Sequence, residues 1–169
     1  MLPAEFKRFQ SEFAQSKDTV WILKPCGSSQ GKGIQILTKP QQVKKLENQY
    51  KSSKYSNSYN KKQHIFVVSE YINSPLLIQG RKFDLRLYVL VTSYKPLKIW
   101  RFEDGFCKIC STKYDKIEKD SDPSQRLFAH LTNIHYQKQS ENYNNQHGGK
   151  WPLKSFKLFC EMNYGKQKT

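Results

Sequence analysis

The ten residues Lys82-Phe83-Asp84-Leu85-Arg86-Leu87-Tyr88-Val89-Leu90-Val91 constrain this chain more than any others, because their alternation suits only an extended strand. A period of two puts Lys82, Asp84 and Arg86 on one face and Phe83, Leu85, Leu87, Val89 and Val91 on the other. An apolar face of that length calls for a core. Three charges in a row on the opposite face call for mutual pairing or for a charged ligand. On the residues alone both readings stand: an ion-pair ladder on a solvated face, or a cradle for a nucleotide and a carboxylate substrate.

Shorter strands are expected around this one, at VWILK (20–24), IQIL (34–37), HIFVVSEYI (64–72), KIWRF (98–102) and FCKICST (106–112). Glu103-Asp104-Gly105 reads as a hairpin turn between the last two. Leu2, Phe6, Phe9 and Phe13 recur at helical spacing, which predicts an amphipathic helix over 3–15 with Pro3 in its first turn. A second helix is expected from Pro40 to about Asn48, and a third from Pro152, with Leu153, Phe156 and Phe159 or Cys160 on one face and Gly165 ending it. Residues 48–63 contain no aliphatic side chain, which predicts a mobile loop. Segments 115–125 and 136–150 read as polar loops, and HLTNI (130–134) as a short turn-forming stretch in which His130, Thr132 and Asn133 stand out. These elements predict an α+β chain, with a largely antiparallel sheet, flanking helices and no internal repeat.

Net charge is +15, from 29 Lys and Arg against 14 Asp and Glu. A field of that sign draws polyanions: nucleic acid, an anionic membrane, nucleotide phosphates or an acidic protein tail. No recognised nucleic-acid reading motif accompanies it. No apolar run approaches the ~20 residues that cross a bilayer, and residues 1–13 lack a signal-peptide pattern. The expectation is a cytoplasmic protein with neither nucleic-acid nor membrane partner. Cys107 and Cys110 form a CxxC pair, but no second pair completes a zinc set, so reduced structural thiols are expected.

The segment PCGSSQGKG (25–33) has glycines at 27, 31 and 33 that let backbone N–H groups approach phosphate oxygens, with Lys32 adding charge. Its spacing is not that of a P-loop. A flap closing over a triphosphate fits, and so does a plain tight turn. Lys24 closes an apolar strand, where its ammonium either meets an anion or snorkels to water. Ser69-Glu70-Tyr71-Ile72 lies at a strand end, where backbone groups could read an adenine edge.

Taken in order, WILKPCGSSQGKGI, VVSEYINSPLLIQGRKFDLRLYVLV, DGFCKICSTKY, HLTNIHYQK and HGGKW resemble the motifs of tubulin-tyrosine-ligase-like proteins, and LPAEF with GFCKICSTKY is closest to the catalytic subunit of tubulin polyglutamylases. The resemblance spans essentially the whole chain and implies a partial ATP-grasp fold. By position, it implies that Lys24 contacts ATP phosphates, that Gln30 and Gly31 lie in the flap with Gln30 also near the protein acceptor, and that Ser69, Glu70, Tyr71 and Ile72 form the adenine-side hinge. Lys82, Phe83 and Asp84 would line the nucleotide, Lys82 and Arg86 would be the catalytic cations, and Thr132 and Asn133 would reach ribose or phosphate. Lys108 and Lys150 fall where the family binds free glutamate.

The implied reaction is ATP-dependent addition of glutamate to glutamate side chains in the acidic C-terminal tails of tubulin, through an acylphosphate. Implied partners are microtubules, free glutamate and possible accessory subunits; the implied location is the cytoskeleton, with the cilium or basal body. This sequence departs from the family at Lys108, where many members carry arginine, and at Glu103, where many carry a basic residue. The family's later Asp and Glu-x-Asn, which hold Mg²⁺, have no counterpart here. The metal ligands are therefore expected outside these residues, as is the family's first subdomain, and the piece alone is expected to be inactive. The alternatives are a catalytically dead nucleotide- or tubulin-binding fragment and a tubulin glycylase.

Overall fold

The computed structural model describes residues 1–16, 18–29, 31–54, 65–118, 127–146 and 149–165. Of the segments read above, Gln30, most of the 48–63 stretch, 119–125 and the His-Gly of HGGKW lie outside the described residues. The chain divides into two compact units, Met1–Pro75 with Asp115–Leu127, and Leu76–Tyr114 with Phe128–Thr169.

In the first unit, helix α1 (Phe6–Gln15) carries the expected aromatic face. Phe9 and Phe13 are buried, and Phe9 meets Trp21 edge-on with ring centroids 5.3 Å apart. The helix begins three residues later than expected, Pro3 lying in the preceding turn. Strand β1 (Trp21–Pro25) is the middle of a three-stranded antiparallel sheet, between β2 (Gln35–Leu37) and β3 (Phe66–Glu70). Leu2, Phe9, Phe13, Leu23, Leu37, Val43 and Leu46 fill one core. A reciprocal pair of backbone hydrogen bonds between Leu2 and Phe66 ties the chain start to β3.

Helix α2 runs Pro40–Lys54, past the Asn48 expected from composition. Its start is fixed by Gln42, whose Oε1 accepts the Thr38 and Lys39 N–H groups at 2.8 and 2.9 Å. No aliphatic residue follows Asn48 in this helix, but Gln and Lys are good helix formers and carry it on.

The second unit contains a four-stranded antiparallel sheet, in the order β4 (Leu77–Ile78), β5 (Arg81–Tyr94), β6 (Leu97–Ile109), β7 (Lys150–Pro152). With the first unit's sheet this gives the expected α+β class, compatible with a partial ATP-grasp fold. Three sequence expectations change here. First, 98–102 and 106–112 are not two strands joined by a turn; β6 is continuous, and the hairpin turn lies at Lys95 and Pro96. Glu103-Asp104-Gly105 instead forms part of a bulge, where Leu87 pairs with Gly105 but Val89 with Arg101. The Asp104 carboxylate accepts the Gly105 N–H at 2.7 Å, and a Cβ on Gly105 would lie 2.4 Å from the Arg86 carbonyl oxygen. Asp-Gly chemistry serves a bulge as well as a turn.

Second, β5 pairs with β4 only at Arg81 and Lys82. Of its apolar face only Phe83 joins the core of Ile78, Cys107 and Ile109, while Leu85, Leu87, Val89 and Val91 stay 41, 41, 57 and 37% exposed. Third, the polar 136–150 stretch ends in strand β7, which Lys150 opens. Helix α5 (Leu153–Tyr164) follows as expected, ending at Gly165 with φ +83°. It packs Phe156 against Phe83 at 5.4 Å and Phe159 against Trp151 at 5.8 Å between ring centroids. This covers one face of the sheet at the β5–β6–β7 end.

The close approach at Gly105 sets a prediction. Gly105→Ala should destabilise the fold by about 1–3 kcal/mol, read from urea unfolding. A change indistinguishable from zero would contradict the contact with Arg86.

Candidate anion-binding site

Antiparallel register decides which side chains meet. Asp84 pairs with Lys108, and Lys108 pairs with Lys150, so the three form a row across β5, β6 and β7. The next row is Arg86, Phe106 and Pro152. Both rows lie on the face opposite Phe83, Cys107 and Trp151, the face that α5 covers. The predicted face of Lys82, Asp84 and Arg86 is thus extended by two lysines from neighbouring strands and by one aromatic ring.

The local geometry is specific. Lys108 Nζ lies 3.8 Å from Asp84 Oδ1, an ion pair beyond hydrogen-bond reach. With Asp84 46% and Lys108 23% exposed, the pair contributes under about 1 kcal/mol to stability after screening. Asp84 Oδ2 accepts the Thr132 hydroxyl at 2.7 Å, and Oδ1 is buried without a hydrogen bond among the described residues. The Lys108 and Lys150 ammonium groups stand 5.9 and 5.1 Å from the centroid of the Phe106 ring. Arg86 lies 5.7 Å from the Tyr88 ring centroid on the same strand. The row therefore holds two cations against one anion.

Thr132 reaches Asp84 from the 131–133 segment between helices α3 (Leu127–His130) and α4 (Ile134–Gln137). Buried Gln137 holds that segment: its Nε2 donates to the Leu131 and Phe128 carbonyls at 2.6 and 2.9 Å, and its Oε1 accepts the Ser111 N–H at 2.7 Å. His130 is buried with its ring 5.1 Å from that of Tyr114. Asn133 caps α4 through backbone geometry, with no side-chain cap bond.

The remaining sequence candidates lie in the first unit. Lys24 is exposed and pairs with Val67 of β3, one residue past the end of the β2 pairing. Gly31 has φ +82°. Ser69 and Glu70 close β3, Tyr71 is buried with its N–H donating to Val20 O at 2.8 Å, and Ile72 is 72% exposed. Gln30 lies outside the described residues.

Two contributors escaped the sequence reading. Phe106 was legible in principle, sitting two residues before Lys108 and so on the same face of one strand. Gln137 left no signal, because a single glutamine in a polar stretch reads as solvated.

Among the described residues no group of three His, Cys, Asp or Glu could hold a metal ion, and the one acid of the row lies beside a lysine that repels a dication. The donors described here do not fit a magnesium cage. The CxxC cysteines serve packing. Burial, with the Asp84 and Cys160 charges adding to it, pushes the Cys107 thiol up to about 12. Burial does the same for Cys110, also to about 12, against the opposing pull of Lys82.

The fold is a mixed α+β chain whose sheet presents two lysines beside an aromatic ring on one face. The model of the tubulin-tyrosine ligase family matches residues 1–169, and the chain belongs to that family. It is 44% identical over 164 residues to a probable alpha-tubulin polyglutamylase Ttll1 of Tetrahymena thermophila, covering 97% of this chain and 38% of that protein. A probable tubulin polyglutamylase ttll-9 of Caenorhabditis elegans is 34% identical over 169 residues, covering 99% and 38%. Tubulin polyglutamylase TTLL5 of Mus musculus is 34% identical over 176 residues, covering 100% and 12%. The chain thus spans well under half the length of these relatives.

The thiol environments predict selective labelling. A thiol reagent should modify exposed Cys26 in the native protein, and Cys107 and Cys110 only on unfolding. Because their folded values lie above the ordinary 9.0, these thiols support the fold fully below about pH 9. That support declines as pH rises toward 12, which unfolding curves across this window will show.

Proposed function

We propose that this chain supplies substrate-binding residues of an ATP-dependent ligase that adds glutamate to glutamate side chains in tubulin C-terminal tails. The row Asp84–Lys108–Lys150 carries the reading. Two cross-strand ammonium groups with one counter-charge suit a carboxylate-bearing amino acid, and neighbouring Asp84 and Thr132 suit the polar edge of a nucleotide. Lys82, Phe83, Asp84, Thr132 and Asn133 take the nucleotide roles that the family resemblance gives them, and Arg86 with Lys82 offsets charge during transfer. Lys24, Gln30, Gly31 and Ser69–Ile72 keep the phosphate, flap and adenine roles given by the same resemblance. The reaction consumes ATP: its terminal phosphoryl group passes to the acceptor carboxylate, and the amine of free glutamate displaces phosphate to form the isopeptide bond. The protein's part is positioning and electrostatic stabilisation. Magnesium, which would offset the triphosphate charge, would be held by residues other than those described here.

A net charge of +15 suits both a triphosphate and a glutamate-rich tail. The names of the relatives support tubulin as the acceptor. Such a substrate implies residence on the cytoskeleton, in the cytoplasm and at cilia or basal bodies, with accessory subunits as possible partners.

The direct test incubates the complete gene product with ATP, microtubules and labelled glutamate, with labelled glycine in parallel. ATP-dependent glutamate incorporation into tubulin is expected. Incorporation of glycine instead would make the protein a glycylase, and nucleotide or tubulin binding without incorporation would make it a binding module. In an active preparation, Lys150→Ala should raise the KM for glutamate roughly tenfold or more, the loss of one charged contact, with a smaller effect on the KM for ATP. Equal losses for both substrates would contradict the role given to Lys150.

A further inference from the structure

We infer that Phe106 is a positioning residue for the amino-acid substrate, acting through Lys108 and Lys150. The inference rests on the proposed glutamate role of those lysines and adds a residue that the family resemblance does not assign. Lys108 and Lys150 are direct cross-strand partners. Like charges so placed repel, and long lysine side chains swing apart to relieve it. The Phe106 ring counters both tendencies. It lies two residues before Lys108 on the same face, paired in register with Arg86 on one side and Pro152 on the other. Both ammonium groups stand within 6 Å of its centroid, at 5.9 Å for Lys108 and 5.1 Å for Lys150. One ring thus lies within cation–π range of both ammonium groups.

Asp84 cannot do this alone. It pairs with Lys108 at 3.8 Å, its other oxygen is taken by Thr132, and no ion pair to Lys150 stands among the described residues. The Phe106 ring, by contrast, reaches both lysines. It holds both ammonium groups nearby before a ligand arrives, so less ordering is required when a carboxylate binds. The half-buried ring also gives the ligand's methylene groups an apolar floor.

The test compares Phe106→Leu with Phe106→Tyr in the complete gene product. Leucine keeps the apolar bulk and removes the π face, whereas tyrosine keeps both. Each contact at an exposed site corresponds to about a two- to fivefold effect, so Phe106→Leu should raise the KM for glutamate by roughly fivefold or more. The KM for ATP and kcat should change by less than about twofold, and Phe106→Tyr should restore the wild-type glutamate KM. An unchanged glutamate KM in Phe106→Leu overturns the inference. So does an equal loss toward both substrates that tyrosine fails to rescue, which marks the ring as packing only. Lys150→Ala, measured alongside, separates the two levels. If it leaves the glutamate KM unchanged, the underlying assignment of the site fails; if it raises it while Phe106→Leu does not, only the role of the ring fails.

Discussion

Cross-strand register between β5, β6 and β7 is the constraint on which the rest depends. It brings Asp84, Lys108 and Lys150, far apart in sequence, into one row, and sets Phe106 beside the two lysines. The same register turns Phe83, Cys107 and Trp151 to the other face, where α5 packs Phe156 and Phe159 against them. A slip of one residue would exchange the two faces, burying lysines under the helix and exposing the core. Core packing and charge presentation are therefore two results of one pairing, and the buried side holds the polar side in place.

Electrostatics within the row favour recognition over stability. The Lys108–Asp84 pair is too exposed to stabilise the fold appreciably, yet it leaves one cation in excess beside an aromatic ring. Thr132 joins the same carboxylate from a segment that Gln137 anchors through three hydrogen bonds. One carboxylate thus links the lysine row to the 131–133 segment. Under the proposed function, that link would fix the nucleotide and amino-acid contacts relative to each other.

Much of this was legible in the sequence. Alternation of charged and apolar residues over 82–87 gave the strand and its charged face, aromatic spacing gave α1, and Gly165 marked the end of α5. Misreadings arose where one residue type serves two structures. Asp104-Gly105 has the chemistry of a turn and forms a bulge, because the long pairing with β5 outweighs local turn preference. Residues 48–54 carry no aliphatic side chain and are helical all the same. β7 was hidden in a polar stretch, since three residues ending in proline give no periodicity to detect. Of the candidate site, the individual lysines and Asp84 could be named, but their row could not, because cross-strand pairs are a property of register. Phe106 was within reach, two residues before Lys108 on one strand face, whereas Gln137 was not, because its burial follows from tertiary packing.

The central claim, that Asp84 and Lys108 act as one unit in presenting charge to an amino-acid carboxylate, is tested most directly by a double-mutant cycle. Glutamate affinity would be measured by titration calorimetry for the wild type, Asp84→Asn, Lys108→Gln and the double variant. The account predicts a coupling of about 0.5 kcal/mol or more between the two positions. Strictly additive effects would contradict it, showing that the lysine recognises its ligand without reference to the aspartate beside it.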